Sequence, residues 1–542
     1  MNPSFHIIDF VIVGIYAILL VGVGLWVSRT KKGHTKTAED YFLASKALPW
    51  WAIGSSLIAA NISAEQFIGM SGSGFAGGLA IASYEFMAAL TLIIVGKFFL
   101  PIFIKQGIYT IPEFVEKRFS TNLKTILAVF WIALFVFVNL TSVLFLGGKA
   151  IDTIVGVGDG SMIVPAIIAL AIFAAAYSLY GGLSAVAWTD VIQVALLVIG
   201  GIITTLIALH YVTPDGGILN GISHIADAAS DKFDMVLSRD NKEFNNLPGI
   251  YVLIGGLWVA NLYYWGFNQY IIQRTLAAKS LTEAQRGIAF AAFLKMLIPF
   301  IVVIPGIVAW VMYSEDLYGA RSAFEIAGST ALNNDNAYPW LISTFIPVGV
   351  KGLVLAALAA AIVSSLASML NSTSTIFTMD IYKPYINREA SQTKLVNVGR
   401  LTAGIALIIA VCLAPLLGGI DQMFQYIQEY TGLVSPGILA VFLMGLFWKK
   451  ATNKGAIWGV LCSIPALIFK LLPLEMPFMD QMFYATLLTI VVIFMVSLSS
   501  NPADDDPKAI KLTADMFKTD KVFNICAYII CILLVVIYTA FF

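Results

Sequence analysis

Apolar runs long enough to cross a bilayer follow one another along almost the whole chain, and two of them are interrupted in mid-run by polar residues. The first interrupted run reads SSLIAANISAEQFIGMSGSG, Ser55 to Gly74, and the second GGLWVANLYYWGFNQYIIQ, Gly255 to Gln273. In hydrocarbon every backbone polar group needs a partner, so a helix unwinds only where it is buried in protein or lines a cavity. Two such interruptions, in corresponding places of two halves, point to the substrate and ion site of a transporter. The sequence therefore predicts two mid-bilayer unwindings, through Asn61 and through Asn261, facing one polar chamber.

The rest of the composition agrees with a polytopic membrane protein. Of 542 residues, 59% are apolar and 12% charged, against about 25% charged in a soluble domain. A formal net charge of zero says nothing about partners, and no basic arm or zinc spacing suggests nucleic acid. The cysteines, Cys412, Cys462, Cys526 and Cys531, sit in apolar runs and suggest neither a disulfide framework nor a metal cluster.

With about 20 apolar residues per crossing, the chain reads as about fourteen spans. They run roughly Phe10–Ser28, Trp50–Gly74, Leu79–Ile104, Leu123–Gly147, Met162–Ser178, Ala185–Tyr211, Gly249–Gln273, Gly287–Tyr313, Val348–Asp380, Val396–Leu417, Ile420–Phe447, Gly455–Leu472, Pro477–Leu498 and Phe523–Phe541. Alternate connections carry about 23 and 7 basic residues, with Arg274 among the richer set. The richer side is expected to be cytoplasmic, which places both termini outside. Five spans beginning at Trp50 and five beginning at Gly249 each open with an interrupted helix, in opposite orientation. The expected division is a peripheral first helix and cytoplasmic loop (1–49), inverted repeat 1 (50–211), an outer loop (212–248), inverted repeat 2 (249–447) and peripheral C-terminal helices (448–542).

Ionisable residues inside spans are functional candidates by default. Glu65 follows the first interruption. Glu85 and Lys295 lie too deep for easy escape to an interface and offset each other's burial if paired. Asp190, after Trp188, lies near the inner surface and suits release of a cation to the cytoplasm. Gln66, Asn61, Asn261 and Gln428 add amides, each both donor and acceptor. Tyr264 and its aromatic neighbours add flat apolar faces. Such a set suits a neutral polyhydroxyl ligand, whose hydroxyls need donors and acceptors and whose CH face needs an aromatic plate. The alternative for the amides is helix–helix bonding. Ser364, Ser368 and Ser372 recur at i, i+4, i+8 with Ser365 beside the first. Small residues at that spacing serve close packing. They also offer hydroxyls that, with carbonyl oxygens of Ala59 and Ile62 freed by unwinding, would suit a monovalent cation.

Long stretches of the chain resemble the sodium/solute symporter family, and within it the bacterial sodium/galactose (glucose) symporters. These are YSLYGGLSAVAWTDVIQ (Tyr177 to Gln193), GLFWKKATNKGAIWG (Gly445 to Gly459), ANISAEQFIGMSGSG, NLYYWGFNQYIIQRT and LAAAIVSSLASMLNSTSTIFTMDIY. The resemblance implies an all-α, leucine-transporter-like fold built on two inverted five-helix repeats in the plasma (bacterial inner) membrane. It implies a sodium ion held by the backbone of Ala59, Ile62 and Ala361 and the hydroxyls of Ser364 and Ser365. It implies sugar contacts from Gln66, Glu85, Asn261, Lys295 and Gln428. Tyr264 would stack on the sugar as inner gate, held by Asn61, and Met70 and Phe424 would close the outer side. One position departs from the pattern: Ala88 stands where the subgroup places a serine, which removes one hydroxyl contact to the sugar.

The expected function is sodium-driven symport of a neutral monosaccharide. A sodium symporter for another small solute, such as an amino acid, sialic acid or another organic acid, is the alternative. A membrane enzyme is disfavoured because no nucleophile–base pair appears. A channel differs in that it never accumulates solute.

Overall fold

The interruptions read from the sequence divide the chain into broken and unbroken helices, and the computed structural model shows where each break falls. It describes residues 5–29, 37–156, 158–213, 215–326, 332–418, 422–463, 476–500 and 506–542. Among the described residues the chain is almost wholly helical, and ten helices are long and apolar enough to cross a membrane. An eleventh is Met423–Phe447, whose two halves meet at 46°. Three of the fourteen expected runs are not among these. Trp50–Gly74 and Gly249–Gln273 are broken into shorter helices, and Gly455–Leu472 passes at residue 464 outside the described residues.

The first helix, α1 (Ile7–Val27), is mostly exposed to its surroundings. The buried carboxylate of Asp9 accepts the backbone N–H of Gly349 at 2.7 Å and of Gly352 at 2.8 Å. It thereby caps the start of a helix more than three hundred residues away, where free N–H groups and the helix dipole favour a negative charge.

Helix α2 (Trp50–Asn61) stops because Ile62 turns to extended geometry, φ −80° and ψ 109°. Local bonds replace the helical ladder there: Ser63 N–H donates to Gln66 Oε1 at 3.0 Å and Glu65 N–H to Ser63 Oγ at 3.0 Å, the competition that polar side chains offer a backbone. A wide turn, Glu65–Met70, then leads into α3 (Ser71–Gly77), and α4 (Ser83–Ile94) follows. The long helix α5 (Leu183–Tyr211) ends the first half. Two of the connections between long helices carry short helices, Ile218–Ala228 and Ala337–Phe345.

The second interrupted run divides differently from expectation. Asn261 lies inside unbroken helix α6 (Gly256–Phe267), because its own Nδ2 donates to the Leu257 carbonyl one turn back, at 3.1 Å, and leaves the ladder intact. The unwinding falls at Asn268, φ −80° and ψ 124°, nearly the geometry of Ile62. A further interruption precedes α6 at Gly255. There the Met479 carbonyl packs so close to Gly256 that a Cβ would lie 2.1 Å from it. After Asn268 comes α7 (Gln269–Leu276), which carries Arg274 fully buried. Arg274 is therefore not a loop cation, as the sequence reading placed it.

Helices α8 (Leu281–Ser314), α9 (Val350–Ile376) and α10 (Met423–Phe447) complete the centre. α8 packs against α2, α3 and α4; α5 packs against α2 and α9; α6 packs against α4 and α10. The broken helices thus lie inside a cage of unbroken ones, where freed backbone groups meet protein rather than lipid.

Candidate substrate cavity and cation site

At the two breaks a narrow cavity of about 50 Å³ opens between α4, α6, α8 and α10. Its wall includes Asn61, Gln66, Glu85, Asn261, Tyr264, Lys295, Phe424 and Gln428 together, residues spread over more than 360 positions of sequence. Ala88 also faces it. Met70 is buried nearby but is not part of the wall.

Lys295 donates to Glu85 Oε2, both side chains being buried, and its ammonium stands 5.2 Å from the centre of the Trp265 ring. Charge neutralisation is what keeps two such groups tolerable out of water. The sequence reading flagged Glu65 only as an intramembrane acid. The structure brings it into the wall, where Gln428 Nε2 donates to its Oε1 at 3.2 Å. Two carboxylates and one ammonium therefore face the cavity, an arrangement hostile to an anionic guest and rich in acceptors for hydroxyls. Tyr84, Trp265, Thr431 and Ser435 also line it. Tyr84 adjoins Glu85 in sequence, and Trp265 belongs to the aromatic run already singled out.

Two of the aromatic rings in the wall are held by their neighbours. The Tyr264 hydroxyl accepts from Asn61 Nδ2 at 2.9 Å and from the Tyr270 hydroxyl at 2.6 Å. Phe424 meets the edge of the Tyr84 ring at 5.1 Å and presses on Gly69, where an added Cβ would lie 2.9 Å from its own Cβ.

The second cluster lies where α2, α5 and α9 meet. Ser365 Oγ donates to the Ala60 carbonyl at 3.0 Å and approaches that of Ala59 at 3.5 Å. Ala361 is buried one turn away, and Ile62 supplies the break. Ser364 turns instead to Asp190, donating to Oδ1 at 2.5 Å, while Ser56 donates to Oδ2 at 2.5 Å. Arg274 lies 3.5 Å from the same carboxylate and also bonds Ser56, the Tyr270 carbonyl and Ser368. Sequence reading named Asp190 but missed Arg274, because the predicted span ended one residue before it.

Membrane-crossing helices gathered around two mid-span unwindings, with a polar cavity and an oxygen-lined junction at the breaks, define a leucine-transporter-like secondary transporter. The chain belongs to the sodium:solute symporter family, whose pattern it matches over residues 41–463. It is 65% identical over 538 residues, 98% of both chains, to a sodium/glucose cotransporter of Vibrio parahaemolyticus. It is 31% identical to mouse sodium/glucose cotransporter 4, covering 94% of this chain and 78% of that one. Among solved structures it resembles a sodium-coupled sialic acid symporter in its substrate-bound outward-open state. That match has a TM-score of 0.79 and 26% identity, covering 92% of this chain and all of the other.

Proposed function

We propose that the chain carries a neutral monosaccharide of the glucose or galactose type into the cell, driven by sodium and working by alternating access. The observation that carries this reading is the buried Glu85–Lys295 pair among Gln66, Asn261, Gln428 and the aromatic faces. It offers charge-assisted acceptors and donors without excess positive charge. In this proposal Gln66, Glu85, Asn261, Lys295 and Gln428 bond the sugar hydroxyls, and Tyr264 stacks on the ring as inner gate, steadied by Asn61. Phe424 closes the outer side together with Met70. The extra carboxylate of Glu65 weighs against sialic acid and other anions as cargo, although a sialic acid symporter is among the structural relatives.

Sodium is the coupled cargo, held between the backbone of Ala59, Ile62 and Ala361 and the hydroxyls of Ser364 and Ser365. Neutral oxygens suit a monovalent ion, whereas calcium sites recruit carboxylates. Bound there, sodium ties broken α2 to α9 and favours the form in which the sugar site faces outward. Its release inward loosens the Ala59–Ile62 end of α2 and frees Tyr264. Asp190, beside Ser364, stands where a leaving cation would pass. Coupling requires that sodium bind the two forms unequally, since equal affinity shifts nothing. The transport unit comprises inverted repeats 50–211 and 249–447, in the plasma membrane with both termini outside. One charge crossing 100 mV contributes about 2.3 kcal/mol and a tenfold sodium gradient about 1.4 kcal/mol. Together they sustain roughly 500-fold accumulation at one-to-one coupling.

A sodium-driven uptake panel in proteoliposomes tests the proposal. Glucose and galactose should compete for labelled uptake, and proline and sialic acid should not. Inhibition by the last two but not by the sugars would transfer the reading to another solute.

A further inference from the structure

One buried polar side chain of α5 lies outside the wall of the substrate cavity. Gln193 is 0% exposed, and neither its amide oxygen nor its amide nitrogen has a hydrogen-bond partner. A buried amide left wholly unpaired is costly, and such groups in a folded protein call for a ligand or a water.

Two independent registers locate it. α5 runs antiparallel to α9: Asp190 bonds Ser364, and Gly200 lies against Val354 and Ala357. Three residues beyond Asp190, Gln193 is therefore level with residues 361–364 of α9. α5 runs parallel to α2: Trp188 meets Trp51, and Asp190 bonds Ser56. On that side Gln193 is level with residues 56–59. At 3.6 residues per turn its side chain points within about 20° of Gly200 and about 60° of Asp190, the two residues that face α9. Both registers put it at the level of the junction where Ser365 reaches the Ala59 and Ala60 carbonyls. The hydroxyls of Ser364 and Ser365 have protein acceptors there; the amide of Gln193 has none.

We infer that Gln193 is a further residue of the cation site, its amide oxygen supplying a neutral ligand from α5 to the sodium held between α2 and α9. This rests on the sodium site proposed above and adds a third helix to it. An amide oxygen is a hard, uncharged ligand of the kind alkali and alkaline-earth ions accept. Sodium would then bridge α2, α5 and α9 rather than two helices alone, so its departure would release α5 as well.

The test is sodium binding to the purified transporter without sugar, followed by tryptophan fluorescence or with radioactive sodium. It compares the parent protein, Ser365→Ala, Gln193→Leu, Gln193→Met and Gln193→Glu. Losing one charge-assisted contact should raise the half-saturating sodium concentration of the Leu and Met variants about tenfold. It should also narrow their discrimination between sodium and lithium, which a purely packing role would not move. Half-saturation by sugar at saturating sodium should stay unchanged. Gln193→Glu, nearly isosteric, should bind sodium more tightly, and it carries the test if the apolar variants do not purify. A shifted Ser365→Ala with Gln193 variants titrating like the parent, or Glu binding no tighter, would overturn the inference and leave the sodium site standing. No shift in Ser365→Ala or any Gln193 variant would overturn both.

Discussion

Replacing the two charges of the cavity, singly and together, separates their structural cost from their role in binding. The Glu85 and Lys295 side chains are 4% and 1% exposed, so either charge left alone is uncompensated in a desolvated place. Lys295→Met or Glu85→Gln should therefore destabilise the protein by about 3–5 kcal/mol. The double variant removes both charges and keeps the volume, so most of that loss should be recovered. Binding should not recover with it. Each charged hydrogen bond to a sugar hydroxyl contributes about 1.5–3 kcal/mol, so losing one weakens sugar binding roughly 10–150-fold. Thermal unfolding in detergent, followed by size-exclusion chromatography, reads the first effect; sodium-dependent sugar uptake in proteoliposomes reads the second. A double variant no more stable than the singles would refute the charge compensation. A stable double variant with normal sugar half-saturation would make the pair structural and remove it from the site.

Three other perturbations test neighbouring parts. Gly69→Ala should hold the outer side open, because the new Cβ meets Phe424 at 2.9 Å; cysteine labelling from outside should rise while transport falls. Arg274→Met should leave Asp190 buried without its cation and lower stability by about 3–5 kcal/mol. Arg274→Lys should not rescue it, since an ammonium cannot reproduce the guanidinium fork that also bonds Ser56, the Tyr270 carbonyl and Ser368. Tyr264→Phe keeps the ring but loses its bonds to Asn61 and Tyr270, worth about 1 kcal/mol each. It should raise sugar efflux with the sodium requirement unchanged, and a normal efflux rate would remove Tyr264 from the gate.

Much of this architecture was legible because membranes leave few alternatives. Run length located the helices, since backbone groups in lipid must be paired within their own segment. The first break was readable at Asn61 because small and polar residues follow it closely, and the structure unwinds at Ile62. The second was misplaced: Asn261 looked disruptive, but a side-chain amide can bond its own helix, and the unwinding falls at Asn268. The Glu85–Lys295 contact was anticipated from depth alone. Arg274 was not, because a basic residue at the end of an apolar run reads as a loop anchor. Only the packing of α7 against α2 and α9 shows it to be the partner of Asp190. Glu65 was visible as an acid after the break, but which way it points depends on the wide turn Glu65–Met70, which no periodicity in the residues marks.

The most direct measurement is the steady-state ratio of labelled galactose inside proteoliposomes to that outside, under an imposed sodium gradient and an inside-negative voltage. At a tenfold gradient and 100 mV the ratio should climb toward a ceiling of roughly 500, and it should collapse to unity when a sodium ionophore removes the gradient and the voltage. A ratio that stays at unity with both forces applied, while the sugar still crosses, would contradict sodium-coupled transport.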